Sequence, residues 1–212
     1  HWAAMLHIRL GYFDELIKPL TEIYRLEPFN EHIGWTLATA YNFSGDPKSA
    51  VLVLNELKYF SYRDYVLGLC AINDKDFSLA RKYLRDTRMR SGTLPAAYAD
   101  LLIDAHEDPA IEDDVAEKIL LAVESGEFTV LMGFESLLIL GSPRVFDLGI
   151  DPMSDILRLQ IHTQIWNNWA VAVRQDPRFK DWVNALGNVE FWRKHSWPDR
   201  CRPTGPDDFE CI

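Results

Sequence analysis

Residues 11–57 carry one pattern written twice, 34 positions apart: Gly11 and Gly45, Leu16 and Ala50, Leu20 and Leu54, Ile23 and Leu57. Small and apolar residues recurring in register at that period belong to stacked helical hairpins, because one hairpin alone has an apolar face it cannot bury. The pattern therefore predicts an all-α chain, arranged as a solenoid of helix pairs. Scaffolds of this kind bind other molecules and seldom do chemistry, so the repeat points to the kind of function without naming a ligand.

Taken in order, residues 1–10 read as a first helix with Trp2, Met5, Leu6 and Ile8 as its apolar members, ended by Gly11. A partner helix over 12–26 has Leu16, Leu20 and Ile23 as its stripe and is stopped by Pro28; Pro19 inside it predicts a kink. The second hairpin is the clearest. Its first helix, 31–43, places Trp35, Leu37, Ala38 and Tyr41 on one face and closes at Ser44-Gly45; Asp46 caps the next helix, Pro47 opens it, and Ala50, Leu54 and Leu57 face inward. A third unit follows with Leu67, Gly68, Ala71, Phe77, Ala80 and Leu84, only 30 positions after the second, so the turn at 59–63 is expected to be shortened. A fourth pair, 94–106 and 111–125, keeps the periodicity but loses the glycine and most small residues.

The organisation changes after Gly126. An apolar helix over 128–140, a connector over 142–152, and a long amphipathic helix over 153–174 with Leu157, Ile161, Ile165, Trp169 and Val173 are expected. A short helix opened by Asp176-Pro177 carries Phe179, Trp182, Val183 and Leu186 up to Gly187, and a last helical turn holds Phe191 and Trp192. Five of the seven Trp fall between 166 and 197, which reads as a bulky cap closing the open end of the stack. The boundaries are thus 1–126 for about four hairpins and 127–212 for a helical C-terminal cap and Trp-rich tail packed on them.

The residues Trp35, Leu37, Ala38, Tyr41, Gly45, Ala50, Leu54 and Leu57 resemble the tetratricopeptide repeat, with the Trp one place late and a closing Pro only in the preceding unit, at Pro28. The resemblance implies a right-handed solenoid of hairpins. The tail is similar to the C-terminal end of tetratricopeptide sensor regions in Gram-negative regulators, where the repeats follow either a winged-helix domain and a membrane span (the CadC type) or a nucleotide cyclase. The matching residues are Asp176, Pro177, Arg178, Phe179, Leu186, Gly187, Phe191, Trp192, Arg193, Trp197, Pro198, Asp199 and Cys201. This implies a sensor or interaction domain of a bacterial signalling or transcriptional regulatory protein, with its effector upstream in a longer chain; a stand-alone adaptor is the alternative. A membrane span before residue 1 would place the domain in the periplasm, and without one it would be cytoplasmic.

Charge narrows the partners. With 22 basic and 32 acidic side chains the net charge is −10, which repels phosphate backbones and argues against direct nucleic-acid binding. No apolar run reaches the roughly 18 residues of a membrane span. The basic cluster Arg81, Lys82, Arg85, Arg88 and Arg90 reads as a solvated face, and the acidic run from Asp100 to Asp114 as a solvated turn without the alternating ligands and glycine of a calcium loop. Cys70 reads as a core residue. Cys201 and Cys211, ten apart, can form a disulfide in an oxidising compartment.

No strained nucleophile turn, zinc-protease helix or phosphate-cradling glycine loop is present in the sequence. His162 and Trp166 share a helical face; His195 with Cys201 and Cys211 lacks a fourth zinc ligand. No catalytic residue, metal or cofactor is therefore assigned, and an enzyme with a site in the C-terminal region is the third and weakest reading. The candidate binding surface is the concave face made by the first helices of the hairpins: Met5, Ile8, Trp35, Thr39, Asn42, Tyr65, Leu69 and Asn73. Apolar groups with an occasional amide suit a peptide or protein segment, or a small molecule. Packing of Trp35 and Tyr65 against a neighbouring helix or the cap is the equally weighted alternative.

Overall fold

The computed structural model describes residues 2–89, 91–151, 161–206 and 208–212, with main chain only at 161 and 162. Among the described residues the fold is helical apart from one small hairpin and an isolated bridge between Arg88 and Thr93. Its helices are α1 (Trp2–Leu10), α2 (Asp14–Leu26), α3 (Glu31–Phe43), α4 (Pro47–Glu56), α5 (Arg63–Asn73), α6 (Phe77–Leu84), α7 (Ala96–Glu107), α8 (Glu112–Glu124), α9 (Val130–Leu140), α10 (Val171–Gln175), α11 (Pro177–Ala185) and α12 (Asn188–Lys194). The closest helix pairs are α3 with α4 and α5 with α6, each joined by a three-residue turn. Their starts are built locally: Asn30, Asp46 and Asp76 each accept a main-chain N–H of the first helical turn, and Pro47 occupies a position that needs no donor. Gly45 takes φ +86° between α3 and α4, and Lys75 takes the same left-handed place, φ +60°, between α5 and α6.

Several sequence expectations are corrected. The 30-residue spacing of the third unit does not come from a shortened turn. Residues 57–62 make a longer connection than 27–30, while α4 (10 residues) and α5 (11) are shorter than α2 and α3 (13 each). The extra loop length carries Phe60 back over the Trp35 ring, 5.5 Å between centroids. In α1, Met5 and Ile8 are buried but Trp2 and Leu6 point to solvent, and α1 rests on α3 and on residues 161–166 more than on α2. The inward stripe of α2 is Leu16, Leu20 and Tyr24, not Ile23, which stays exposed. α2 runs through Pro19, which lies on its solvent side, where water can donate to the Glu15 carbonyl that the missing N–H leaves free.

The single long helix expected over 153–174 is not formed. Residues 161–166 are a tight 3-10 turn, 167–170 an irregular turn, and α10 begins only at Val171; Leu157 and the Ile161 side chain lie outside the described residues. Polar groups explain the break. Asn167 folds its amide onto the Gln164 carbonyl (3.0 Å) and side chain (2.8 Å), and the buried Arg174 guanidinium donates to the carbonyls of Ile165, Asn167 and Ile212 at 2.5–2.8 Å. Carbonyls released from helical pairing are satisfied by one side chain. The apolar helix α9 starts at Val130, two residues after the expected point, because Thr129 caps it.

The tail after the last helix forms a small hairpin. Cys201–Pro203 (β1) and Phe209–Cys211 (β2) pair antiparallel, with Cys201 opposite Cys211 and a disulfide between them. The Trp-rich segment does not sit beyond the last helical hairpin: it returns to the first. Trp166 Nε1 donates to the Arg9 carbonyl and Trp192 Nε1 to the Leu10 carbonyl; the Asp199 carboxylate accepts the N–H groups of Phe13 and Asp14, capping α2 in place of any local residue. Tyr12 Oη donates to the Ser196 carbonyl. Around these bonds Trp166, Phe179, Trp192, Trp197 and Phe209 pack edge to face or tilted, with centroids 5.4–6.4 Å apart.

The two charge clusters meet each other. Arg81 of α6 pairs with Asp100, Asp104 and Glu107 of α7, and Arg85 with Asp100, so the face expected to be solvated joins two helices; Arg90 lies outside the described residues.

Candidate functional site

Seven of the eight sequence-derived groove residues are buried, and Asn73 is half-buried. Met5 of α1, Trp35, Thr39 and Asn42 of α3, and Tyr65 and Leu69 of α5 surround one cavity, whose remaining wall includes Thr163 and Gln164 from the C-terminal half. Ile8 is fully buried beside them. The space left is about 20 Å³, room for little more than one water molecule. As an open groove the expectation is corrected: the inner faces of α1, α3 and α5 are filled by the chain's own 163–168 segment. Trp35 is 8 % exposed, so its replacement would test packing rather than recognition.

A polar ladder fixes that segment. Asn73 Nδ2 donates to the Asn42 carbonyl at 2.9 Å, Asn168 Nδ2 donates to Asn73 Oδ1 at 2.6 Å, and Asn168 Oδ1 accepts from Arg200, whose guanidinium also donates to the Phe43 carbonyl. Arg200 lies over the Phe13 ring, 5.4 Å from its centroid. The Asn42 side-chain amide is buried at 1 % exposure and its Nδ2 has no hydrogen-bond partner among the described residues. The Asn73 amide thus links the Asn42 carbonyl of α3 to an amide of the C-terminal half. Burial, reinforced by the Arg200 charge, lowers the Arg174 guanidinium to about 9, so it remains charged at neutral pH.

A second concavity is open. α4, α5 and α6 enclose a cleft of about 340 Å³, within the range of small-ligand and peptide sites. Its walls are one stripe of α4 (Lys48, Val51, Leu52, Asn55), the outer side of α5 at Leu67, Cys70 and Ala71, and Leu79 and Tyr83 of α6. Lys48, Asp74 and Asp76 supply the charges. Leu52 is 70 % exposed at its edge. The sequence held a signal for this cleft: residues 50–54, AVLVL, are apolar all round the helix, whereas one inward face needs only Ala50 and Leu54. Burial pushes the Cys70 thiol up to about 12, leaving it protonated and unreactive at neutral pH.

Among the described residues no group of three or more His, Cys, Asp or Glu is placed to hold a metal. Cys201 and Cys211 are bonded to each other, and His195 stacks on Phe191 at 4.3 Å; the His162 side chain lies outside the described residues. No helix among the described residues is long and apolar enough to cross a membrane. Compared with protein-family models, curated proteins and solved structures, the chain matches none.

Proposed function

We propose that the chain is a non-catalytic interaction and sensor domain of a bacterial signalling or transcriptional regulator, built as a right-handed stack of tetratricopeptide-like hairpins over 1–126 with its C-terminal half, 127–212, folded into the concave face. The observation that carries the reading is the filled groove. The inner faces of α1, α3 and α5 hold an irregular polypeptide segment, and Asn73, itself bonded to the Asn42 carbonyl, accepts a hydrogen bond from its Asn168 amide. A surface that accommodates a peptide segment of its own chain is shaped for polypeptide. Signalling then consists of shifting the balance between held and released states of residues 163–168, which a partner can do to the extent that it binds one state better. No catalytic residue or cofactor is assigned, and the effector is expected upstream of residue 1.

Asn168→Ala tests this in the full-length protein. The substitution removes the bonds to Asn73 and Arg200 on a half-buried side chain, so the domain is expected to stay folded by circular dichroism while the output of the linked effector, DNA binding or cyclase activity, changes several-fold. An unchanged output at unchanged fold overturns the sensor reading; a gene with no effector module moves it to the stand-alone adaptor.

A further inference from the structure

We infer that the open cleft between α4 and α6 is a docking site for a basic amphipathic helical segment of another protein. This rests on the interaction-domain reading above and names the place and chemistry of the partner.

The lining is periodic on every wall. Lys48, Val51, Leu52 and Asn55 follow the i, i+3, i+4, i+7 spacing of one α4 face, and Leu67, Cys70, Ala71 and Asp74 do the same on α5. From residue 48 to 55 the α4 wall is about 10 Å long at the usual rise per residue, two helical turns. Such a trough takes the apolar stripe of a helix, anchored at matching spacing. Leu52, 70 % exposed, offers the edge against which that stripe would close.

Charge selects the sign of the partner. Short connections make α4, α5 and α6 successively antiparallel, so the α4 start and the α5–α6 turn fall at one end of the trough. There Asp74 and Asp76 line the cleft with Lys48, whereas at the other end Asn55 and Tyr83 line it, beside Arg63, which pairs with Asp64 and donates to Asn55 Oδ1, and Lys82 over the Tyr83 ring. Asp76 gives one carboxylate oxygen to the Leu79 N–H as the cap of α6. A Lys or Arg one turn beyond the apolar stripe would sit between the two carboxylates. The chain's net charge of −10 favours approach of a cation and opposes a second copy of the same chain.

The probe is a dye-labelled 14-residue Leu/Lys peptide with leucines at helical spacing, titrated by fluorescence anisotropy into the intact domain. Its controls are a peptide of the same composition with the stripe broken and a Leu/Glu analogue. The striped cationic peptide should bind at least tenfold more tightly than either control. Leu52→Asn, on an exposed side chain that folding does not need, should weaken it about tenfold, and Asp74→Asn should weaken it and flatten its salt dependence. Equal binding of the broken-stripe peptide, or an unchanged affinity in Leu52→Asn, overturns the proposal. So does self-association of the domain in sedimentation that Leu52→Asn abolishes, since the occupant is then a second copy. Leu52 and Asp74 take no part in the ladder at Asn168, so the two readings fail independently.

Discussion

At the scale of single residues, close backbone approach and burial decide what can be changed. A Cβ on Gly11, which has φ +90°, would lie 2.8 Å from Trp166 Cζ2 and 2.9 Å from Pro198 Cβ; at Gly126, φ +79°, it would meet nothing within 4 Å. Gly126→Ala should therefore cost only the left-handed backbone term, about 1 kcal/mol, and Gly11→Ala about 3 kcal/mol or more. Equal urea midpoints for the two variants would show that the tail does not press on this turn. His106, between α7 and α9, is governed by burial, which lowers its pKa below the ordinary 6.5; its Nε2–H donates to the Ile139 carbonyl, a weaker effect in the opposite direction. The sign follows from linkage. As pH falls below 6.5 the unfolded chain takes up a proton that the folded chain resists, so stability is lost until the folded value is passed, by at most about 1.4 kcal/mol per pH unit. Urea titrations between pH 7 and 5 should show this decline and His106→Gln should reduce it; an identical slope in the variant would place the proton elsewhere.

At the scale of elements, the legible parts were those whose causes lie close in sequence. Asn30, Asp46-Pro47, Thr129 and Asp176-Pro177 start their helices through side chains two or three residues from the groups they satisfy, and the two Asp-Pro starts could be read directly. The failures share the opposite cause. The cap of α2 comes from Asp199, 186 positions from Phe13, and no local pattern announces it. The long helix expected up to 174 has the right apolar spacing, and Ile165 and Val173 are indeed buried, but one buried guanidinium accepts a different backbone course. β1 and β2 have three residues each, too few for an alternation to be recognised. The groove residues were identified as a set because they share the register of α1, α3 and α5; what fills the groove depends on contacts the register does not contain. Arg174→Met should leave the carbonyls of Ile165, Asn167 and Ile212 without their donor and cost about 3 kcal/mol or more, and Arg174→Lys should recover little because one ammonium cannot reach all three. A Met variant with the wild-type urea midpoint would mean that these bonds do not stabilise the turn.

At the scale of the whole molecule, the disulfide and the tail clamp act together. Three cysteines with one pair bonded should give one free thiol, Cys70, on the denatured unreduced protein and three after reduction; a count of three before reduction would remove the bond. The bond closes a loop of ten positions, so reduction should lower stability by about 2–3 kcal/mol on chain-entropy grounds, read from the shift in the urea midpoint. The loss should be felt first at residues 9–14, since Asp199 and Arg200 lie next to Cys201, and amide exchange there should rise before that of α3 and α4. Those same long-range bonds bear on how the protein is made. At ordinary translation rates the ribosome takes some tens of seconds to add the residues separating Leu10 from Trp192 and Phe13 from Asp199. Until then α2 has no cap and the turn before it has no partner, so this helical pair, which leaves the exit tunnel before α3 to α6, is completed after them, and a nascent chain halted near residue 160 should hold α3 to α6 folded with α1 still exposed to chaperones and proteases.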